Sequence, residues 1–198
     1  KKHKKNNKIL YLSKFHNKFY KIHNFSHNYF YKPERHLLPF LKKFCLKKNF
    51  KLEILPKYFS EEEYLFHKNI LGTKNWSYKK NVKNPYNYSD TADLVIFIST
   101  TLGYEIIARK KKLAGFCCKL QDKGSRRFGW PKYDLKDKGF FWINKLNLKN
   151  FEKILISLTK MSQNQWNSKT KKYRDNIMIY NKNNNKLRHV VSKICSNL

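Results

Sequence analysis

Five consecutive apolar residues, Leu94-Val95-Ile96-Phe97-Ile98, constrain this chain more than any other segment. They are rich in β-branched and aromatic side chains, too few for a buried helix, and lack polar alternation, which is the pattern of a parallel strand covered on both faces. Ser99, Thr100 and Thr101 come next, then Leu102, Gly103, Tyr104 and Glu105, and a short helical pattern through Ile106, Ile107 and Ala108 that stops at the basic run Arg109 to Lys112. Leu113 to Cys117 supplies a second apolar strand. Strand, hydroxylated turn, helix and strand in this order predict a βαβ unit.

Three hydroxyls thus fall where a strand's carboxyl end meets a helix amino terminus. The first N–H groups of a helix lack intrahelical partners and its dipole is positive there. Ser99, Thr100 and Thr101, together with main-chain donors, are therefore suited to bind a diphosphate. Gly103 permits close approach of a ligand or of the neighbouring strand, and Glu105, one turn in, is placed to accept hydrogen bonds from ribose hydroxyls. Open α/β sheets bind their ligands at such strand ends. Each of these residues also has an ordinary use, as helix cap, packing glycine or dipole-complementing acid.

The rest of the chain continues the alternation. Residues 1–8 read as a basic disordered arm, 9–147 as a Rossmann-like domain and 148–198 as carboxyl-terminal helices. A strand is expected at Ile9 to Leu12. Arg35 to Lys47 carries a helical stripe with Pro39 in its first turn, and Phe50 to Leu55 alternates as a strand. Ser60 caps a helix with Glu61, Glu62 and Glu63 in its first turn, Tyr64, Leu65, Ile70 and Leu71 as apolar positions and Gly72 as its stop. Residues 73–89 read mainly as loop, with a short strand near Trp76 to Tyr78; Trp76 is expected to anchor the loop, and Asp90 to serve a turn or cap. Arg126 and Arg127, in the next strand-end loop, are either clamps for a second phosphate or a solvated turn. Trp130 or Trp142 could pack on nucleotide or sugar, or fix that loop to the sheet. Residues 148–160 form a helix with Phe151, Ile154, Leu155 and Leu158 on one face and Asn150 as its cap. Trp166, Tyr173, Ile177 and Tyr180 mark the core side of a second helix, and a terminal helix starts at Leu187.

The segment ADLVIFISTTLGYEIIARKKKLAGF, with RRFGWP at Arg126 to Pro131 and KGFFWIN at Lys138 to Asn144, resembles the carboxyl-terminal part of bacterial surface-carbohydrate biosynthesis proteins. These are O-antigen or capsule glycosyltransferases of the GT-B type. The resemblance spans roughly residues 30–145 and implies that the second, Rossmann-like domain binds a nucleotide-sugar donor as substrate, with no cofactor. By position, Ser99, Thr100 and Thr101 would contact the donor phosphates, Gly103 would allow close approach and Glu105 would reach the ribose. Where such proteins read KPHP, this chain has Tyr31-Lys32-Pro33-Glu34-Arg35, without the second His-Pro unit, so no catalytic role is assigned to that loop. A GT-B enzyme has two domains and 198 residues suit one. The resemblance therefore implies a partial chain lacking its amino-terminal domain, with a lipid-linked or glycan acceptor bound by the absent half.

Composition excludes less than it first suggests. A formal net charge of +31 would ordinarily point to nucleic acid or an anionic membrane. The basic residues are spread along the chain among abundant Asn, Ile, Phe and Tyr, all with AT-rich codons, so genome composition accounts for much of the excess. No RNP-type, zinc-finger or helix-turn-helix signature supports a nucleic-acid partner. A basic nucleic-acid-binding protein and a catalytically silent nucleotide-binding module stand as the two alternatives. No apolar run approaches the roughly 20 residues that span a bilayer, which leaves peripheral contact with an anionic inner-membrane face as the membrane expectation and the cytoplasm as the compartment. Cys45, Cys117, Cys118 and Cys195 show no CxxC pairing, and the seven His form no metal signature. His36 and His67 are candidate bases by chemistry alone.

Overall fold

The computed structural model describes residues 6–15, 26–119, 137–177 and 185–196. Ile9, Leu10, Tyr11 and Leu12 are all at most 2% exposed, so the strand that carries them, β1 (Lys8–Leu12), must be covered on both faces and cannot lie at an edge. It pairs in parallel with β2 (Lys51–Leu55) on one side and β4 (Leu94–Phe97) on the other. β3 (Ser77–Tyr78) extends the sheet beyond β2, while β5 (Leu113–Phe116) and β6 (Trp142–Ile143) extend it beyond β4, giving the order β3-β2-β1-β4-β5-β6 with every pair parallel. The chain builds outward from β1 in one direction, then returns and builds in the other. The switch in strand order therefore falls between the carboxyl ends of β1 and β4, the place where open α/β sheets ordinarily form a ligand crevice.

Parallel strands need crossover connections, and helices supply them. After α1 (His27–Phe30), α2 (Lys32–Lys47) turns Leu37, Leu38, Leu41, Phe44 and Cys45 inward. It packs on α3 (Glu61–Leu71) and on α6 (Leu148–Lys160), where Phe40 and Phe116 both meet Phe151. A short helix, α4 (Pro85–Asp90), leads into β4, and α5 (Leu102–Ala108) follows it and packs against α7 (Gln163–Ile177). The last helix, α8 (Asn185–Cys195), carries Val190, Val191 and Ile194 about half exposed. The architecture is the Rossmann-like α/β sheet with carboxyl-terminal helices that the βαβ pattern implied.

Several details differ from the sequence expectation. Helix α2 begins at Lys32 with Pro33 in its first turn, so Pro39 lies inside the helix, and the buried Leu37, Leu38 and Leu41 hold it through the lost backbone bond. In α3, Leu65 is 45% exposed, whereas Phe66 and the polar Glu63 and His67 are buried. Residues 85–90 are helical, because Asn84 accepts from the Asn87 N–H at 3.0 Å and Pro85 suits a first turn. The cap of α6 is Asn147, which accepts from the Asn150 N–H at 2.9 Å; Asn150 is thus the residue being capped. Trp142 is a strand residue only 3% exposed, its ring lying where a Cβ on Gly139 would collide with it. It fixes the chain to the sheet and is closed to a nucleotide or sugar.

Other expectations hold. Ser60 caps α3 by accepting from the Glu63 N–H at 3.1 Å, and Gly72 ends the helix at φ +72°. Trp76 anchors its loop by donating to the Gly72 carbonyl at 2.8 Å. Trp166 is fully buried against Phe140 and Phe141. β1 begins at Lys8, the last residue of the expected arm; residues 1–5 and Tyr180 lie outside the described residues.

Candidate functional site

The carboxyl end of β4 delivers Ser99 and Thr100 half-buried and Thr101 exposed, immediately before α5. The turn is tight: the Gly103 N–H donates to the Thr100 carbonyl at 3.1 Å and the Tyr104 N–H to the Thr101 carbonyl at 2.9 Å. Thr101 occupies the cap position in a helical conformation, φ −61° and ψ −29°, and its side chain makes no capping hydrogen bond. A hydroxyl at a helix start ordinarily adopts extended backbone and accepts from the second or third N–H. Thr101 does neither, so the ordinary structural use of this residue is not the one found here.

Gly103 resolves in favour of packing. A Cβ there would lie 2.6 to 2.8 Å from three atoms of the Phe97 ring. The missing side chain lets α5 settle onto β4, the role of a close-packing glycine in a strand-to-helix unit. Phe97 is fully buried, and its ring also meets Tyr104 edge-on at 6.0 Å.

Glu105 lies one turn into α5, half-buried, with one carboxylate oxygen accepting from the Tyr86 hydroxyl of α4. That hydrogen bond, with burial and the carboxylate's charge behind it, raises the Tyr86 phenol above its ordinary value. The Arg109 guanidinium lies 5.6 Å from the Tyr86 ring centre and pairs with Asp90 at 2.5 Å. Asp90 is therefore an ion-pair residue at the end of α4. Tyr86, Glu105, Arg109 and Asp90 form a brace that fixes the carboxylate of Glu105 on the outer face of α5. Sequence reading missed Tyr86; the available signal was Asn84-Pro85, a cap followed by a first-turn proline.

On the other side of the crevice, the end of β1 is closed over. Ser13, 6% exposed, shares a hydrogen bond of 3.0 Å with Nε2 of His67, and Oε1 of Glu63 lies 3.5 Å from the same nitrogen. Tyr11 and Phe66 meet the imidazole edge-on. His67 is thus an interior residue held through Nε2, its buried Nδ1 having no hydrogen-bond partner, while His36 is exposed on α2. The Pro33-Glu34 segment forms the first turn of α2, with Glu34 buried and paired to Lys119 at 2.6 Å.

Ser99, Thr100, Thr101, Gly103 and Glu105 are brought together on one strand-to-helix unit. Arg126, Arg127 and Trp130 lie outside the described residues. Among the described residues, no group of three or more His, Cys, Asp or Glu is disposed to hold a metal ion, and no helix is long and apolar enough to cross a membrane. Cys45, Cys117 and Cys118 are buried, and burial pushes the Cys45 thiol up to about 12.

A search of curated proteins finds no match. Among solved structures the chain is similar to the crystal structure of TarM, with a TM-score of 0.52 and 16% identity over 97% of this chain and 36% of that one. At that identity the likeness concerns the fold, and the chain spans about a third of the length of its structural neighbour. The family model described as "putative O-antigen biosynthesis protein" matches residues 1–194. With nearly the whole length matched, the resemblance to surface-carbohydrate biosynthesis proteins holds, and the chain belongs to this family of O-antigen biosynthesis proteins.

Proposed function

We propose that this chain is the donor-binding half of a glycosyltransferase acting in O-antigen or capsule biosynthesis, and that it holds a nucleotide-sugar at the turn from Ser99 to Glu105. The observation that carries the reading is the unused hydroxyl of Thr101, beside Ser99 and Thr100, at the carboxyl end of β4 next to the crevice. Membership of the O-antigen family and the Rossmann-like sheet are consistent with it.

In this reading the Ser99, Thr100 and Thr101 hydroxyls contact the diphosphate, and Arg126 and Arg127 are further candidates for it. Groups fixed in advance where charge develops on the departing nucleotide lower the barrier without reorganising during transfer. Glu105, braced by Tyr86, presents its other oxygen lone pairs to the ribose hydroxyls. Gly103 acts indirectly, seating α5 on Phe97 so that turn and carboxylate keep their spacing. His67 is engaged by Ser13 and Glu63 and is not assigned as the base that takes the acceptor's proton. The acceptor is a lipid-linked or growing glycan, the work is done in the cytoplasm at the inner membrane face, and no cofactor is required.

Calorimetric titration of the chain with UDP-, GDP-, CDP- and CMP-linked sugars tests the assignment. The expected result is saturable binding of one nucleotide class, weakened about tenfold or more in Ser99→Ala/Glu105→Ala. Binding only of a single-stranded RNA, with steep salt dependence, would replace the reading with a nucleic-acid function.

A further inference from the structure

Helices α2, α3, α5 and α6 each bury a set of apolar side chains. Helix α8 does not. Every side chain from Arg188 to Ser196 is exposed, with Val190, Val191 and Ile194 at 53, 48 and 58%. A helix turns once in about 3.6 residues, so these three share one side, Arg188 falls on one flank of the stripe and Lys193 on the other. His189, Ser192 and Ser196 lie opposite. Isolated helices below about 12–15 residues are marginal in water, and α8 has 11 residues, among them the β-branched neighbours Val190 and Val191. Its stability must therefore come from a surface that covers the stripe.

We infer that α8 lies in the interface of an anionic lipid bilayer, with the apolar stripe toward the acyl chains and the basic flanks among the headgroups. Charge selects this partner. No Asp or Glu follows Asp175 in the sequence, whereas Lys182, Lys186, Arg188 and Lys193 do. Long cationic side chains beside an apolar stripe can reach headgroups while the stripe enters the acyl boundary, and anionic lipid attracts them further. A nucleic acid would meet the cations but leave the stripe in water. A second copy would cover the stripe but bring together two chains of formal charge +31 each. The contact is independent of whether the β4 turn holds a nucleotide.

The test is cosedimentation of the full chain with vesicles of phosphatidylcholine, either pure or with phosphatidylglycerol at about one part in three. Because the whole chain is basic, the decisive comparison is with Val191→Ser/Ile194→Ser, which removes most of the stripe and keeps every charge. The parent should bind the mixed vesicles about tenfold or more tighter than this variant, and pure phosphatidylcholine weakly. Mixed vesicles should raise the helical circular-dichroism signal of the parent and not of the variant. Arg188→Gln/Lys193→Gln should weaken binding at low salt and less at high salt. Cys195 is exposed while Cys45, Cys117 and Cys118 are buried, so a fluorophore placed on it should be quenched by lipids brominated in the acyl chain. Thermal midpoints equal to the parent's are expected for all variants. Equal binding of parent and Val191→Ser/Ile194→Ser to mixed vesicles would overturn the inference, since the charge of the whole chain would then suffice. So would equal binding to both kinds of vesicle, or lipid-free dimerisation of the parent that the serine pair abolishes.

Discussion

Helices α3 and α5 both start from a hydroxyl at a strand's carboxyl side, yet the two hydroxyls are used differently. Ser60 sits in extended backbone, φ −141° and ψ 143°, and its oxygen accepts from the Glu63 N–H; three Glu residues then line the first turn. Thr101 sits in helical backbone with no such bond, and the single acid of its first turn, Glu105, is drawn toward Tyr86 on a neighbouring helix. The first helix uses its starting hydroxyl as a cap, so that hydroxyl is engaged within the helix. In the second, the Thr101 hydroxyl makes no capping bond, while the glycine behind it packs against the strand. A hydroxyl at a helix start thus tells little until its backbone conformation is known.

The contrast can be broken most forcefully at Gly103. A methyl group there would enter the Phe97 ring, which is fully buried, so Gly103→Ala should cost about 2 kcal/mol in urea denaturation. Phe97→Leu introduced alongside it should restore part of that loss, because it removes the ring atoms that collide. Equal stability of Gly103→Ala and the parent would show that α5 does not depend on this contact. A comparable effect is expected at the closed end of β1. His67→Ala strands the Ser13 hydroxyl and opens a gap beneath Tyr11 and Phe66, for a loss of about 2 kcal/mol in the same assay.

The two caps themselves give the next pair. Ser60→Ala should lower stability by about 1 kcal/mol, the usual value of a cap, whereas Thr101→Ala should change it by less than about 0.5 kcal/mol. Matching losses at the two positions would dissolve the distinction drawn here.

The smallest effect concerns pH. Burial opposes ionisation of Glu53, but hydrogen bonds from Tyr88 and Lys79, with the charges of Lys8 and Lys79, outweigh it and leave the carboxyl below its ordinary 4.5. A depressed folded-state value adds stability above the unfolded value and loses it as pH falls through the folded one. Stability should therefore decline below about pH 4.5, and Glu53→Gln should make that part of the profile shallower. An unchanged acid limb in Glu53→Gln would assign the decline to other carboxylates.

Much of the fold was legible because its central strands carry their burial in composition. Leu94 to Phe97 and Ile9 to Leu12 are apolar at every position, as strands covered on both faces require. The edge strands β3 and β6 have two residues each, too few for any periodicity; β3 falls in the short strand expected near Trp76 to Tyr78, whereas the Phe141-Trp142 region read as loop. The site was legible as a motif and less so as geometry. Ser99 to Glu105 are contiguous, so their spacing could be read directly, but the partner of Glu105 comes from a different helix. Whether Gly103 faces a ligand or a ring depends on Phe97, six residues earlier, and only packing decides it.

The central claim is that the turn at the end of β4, whose Thr101 hydroxyl makes no capping bond, holds a nucleotide, and hydrogen exchange tests it most directly. Adding the nucleotide-sugar that binds should slow exchange of the amides from Ser99 to Glu105, while the already capped start of α3, from Glu61 to Glu63, stays as it was. Protection confined to other segments, or appearing only with RNA, would contradict the account.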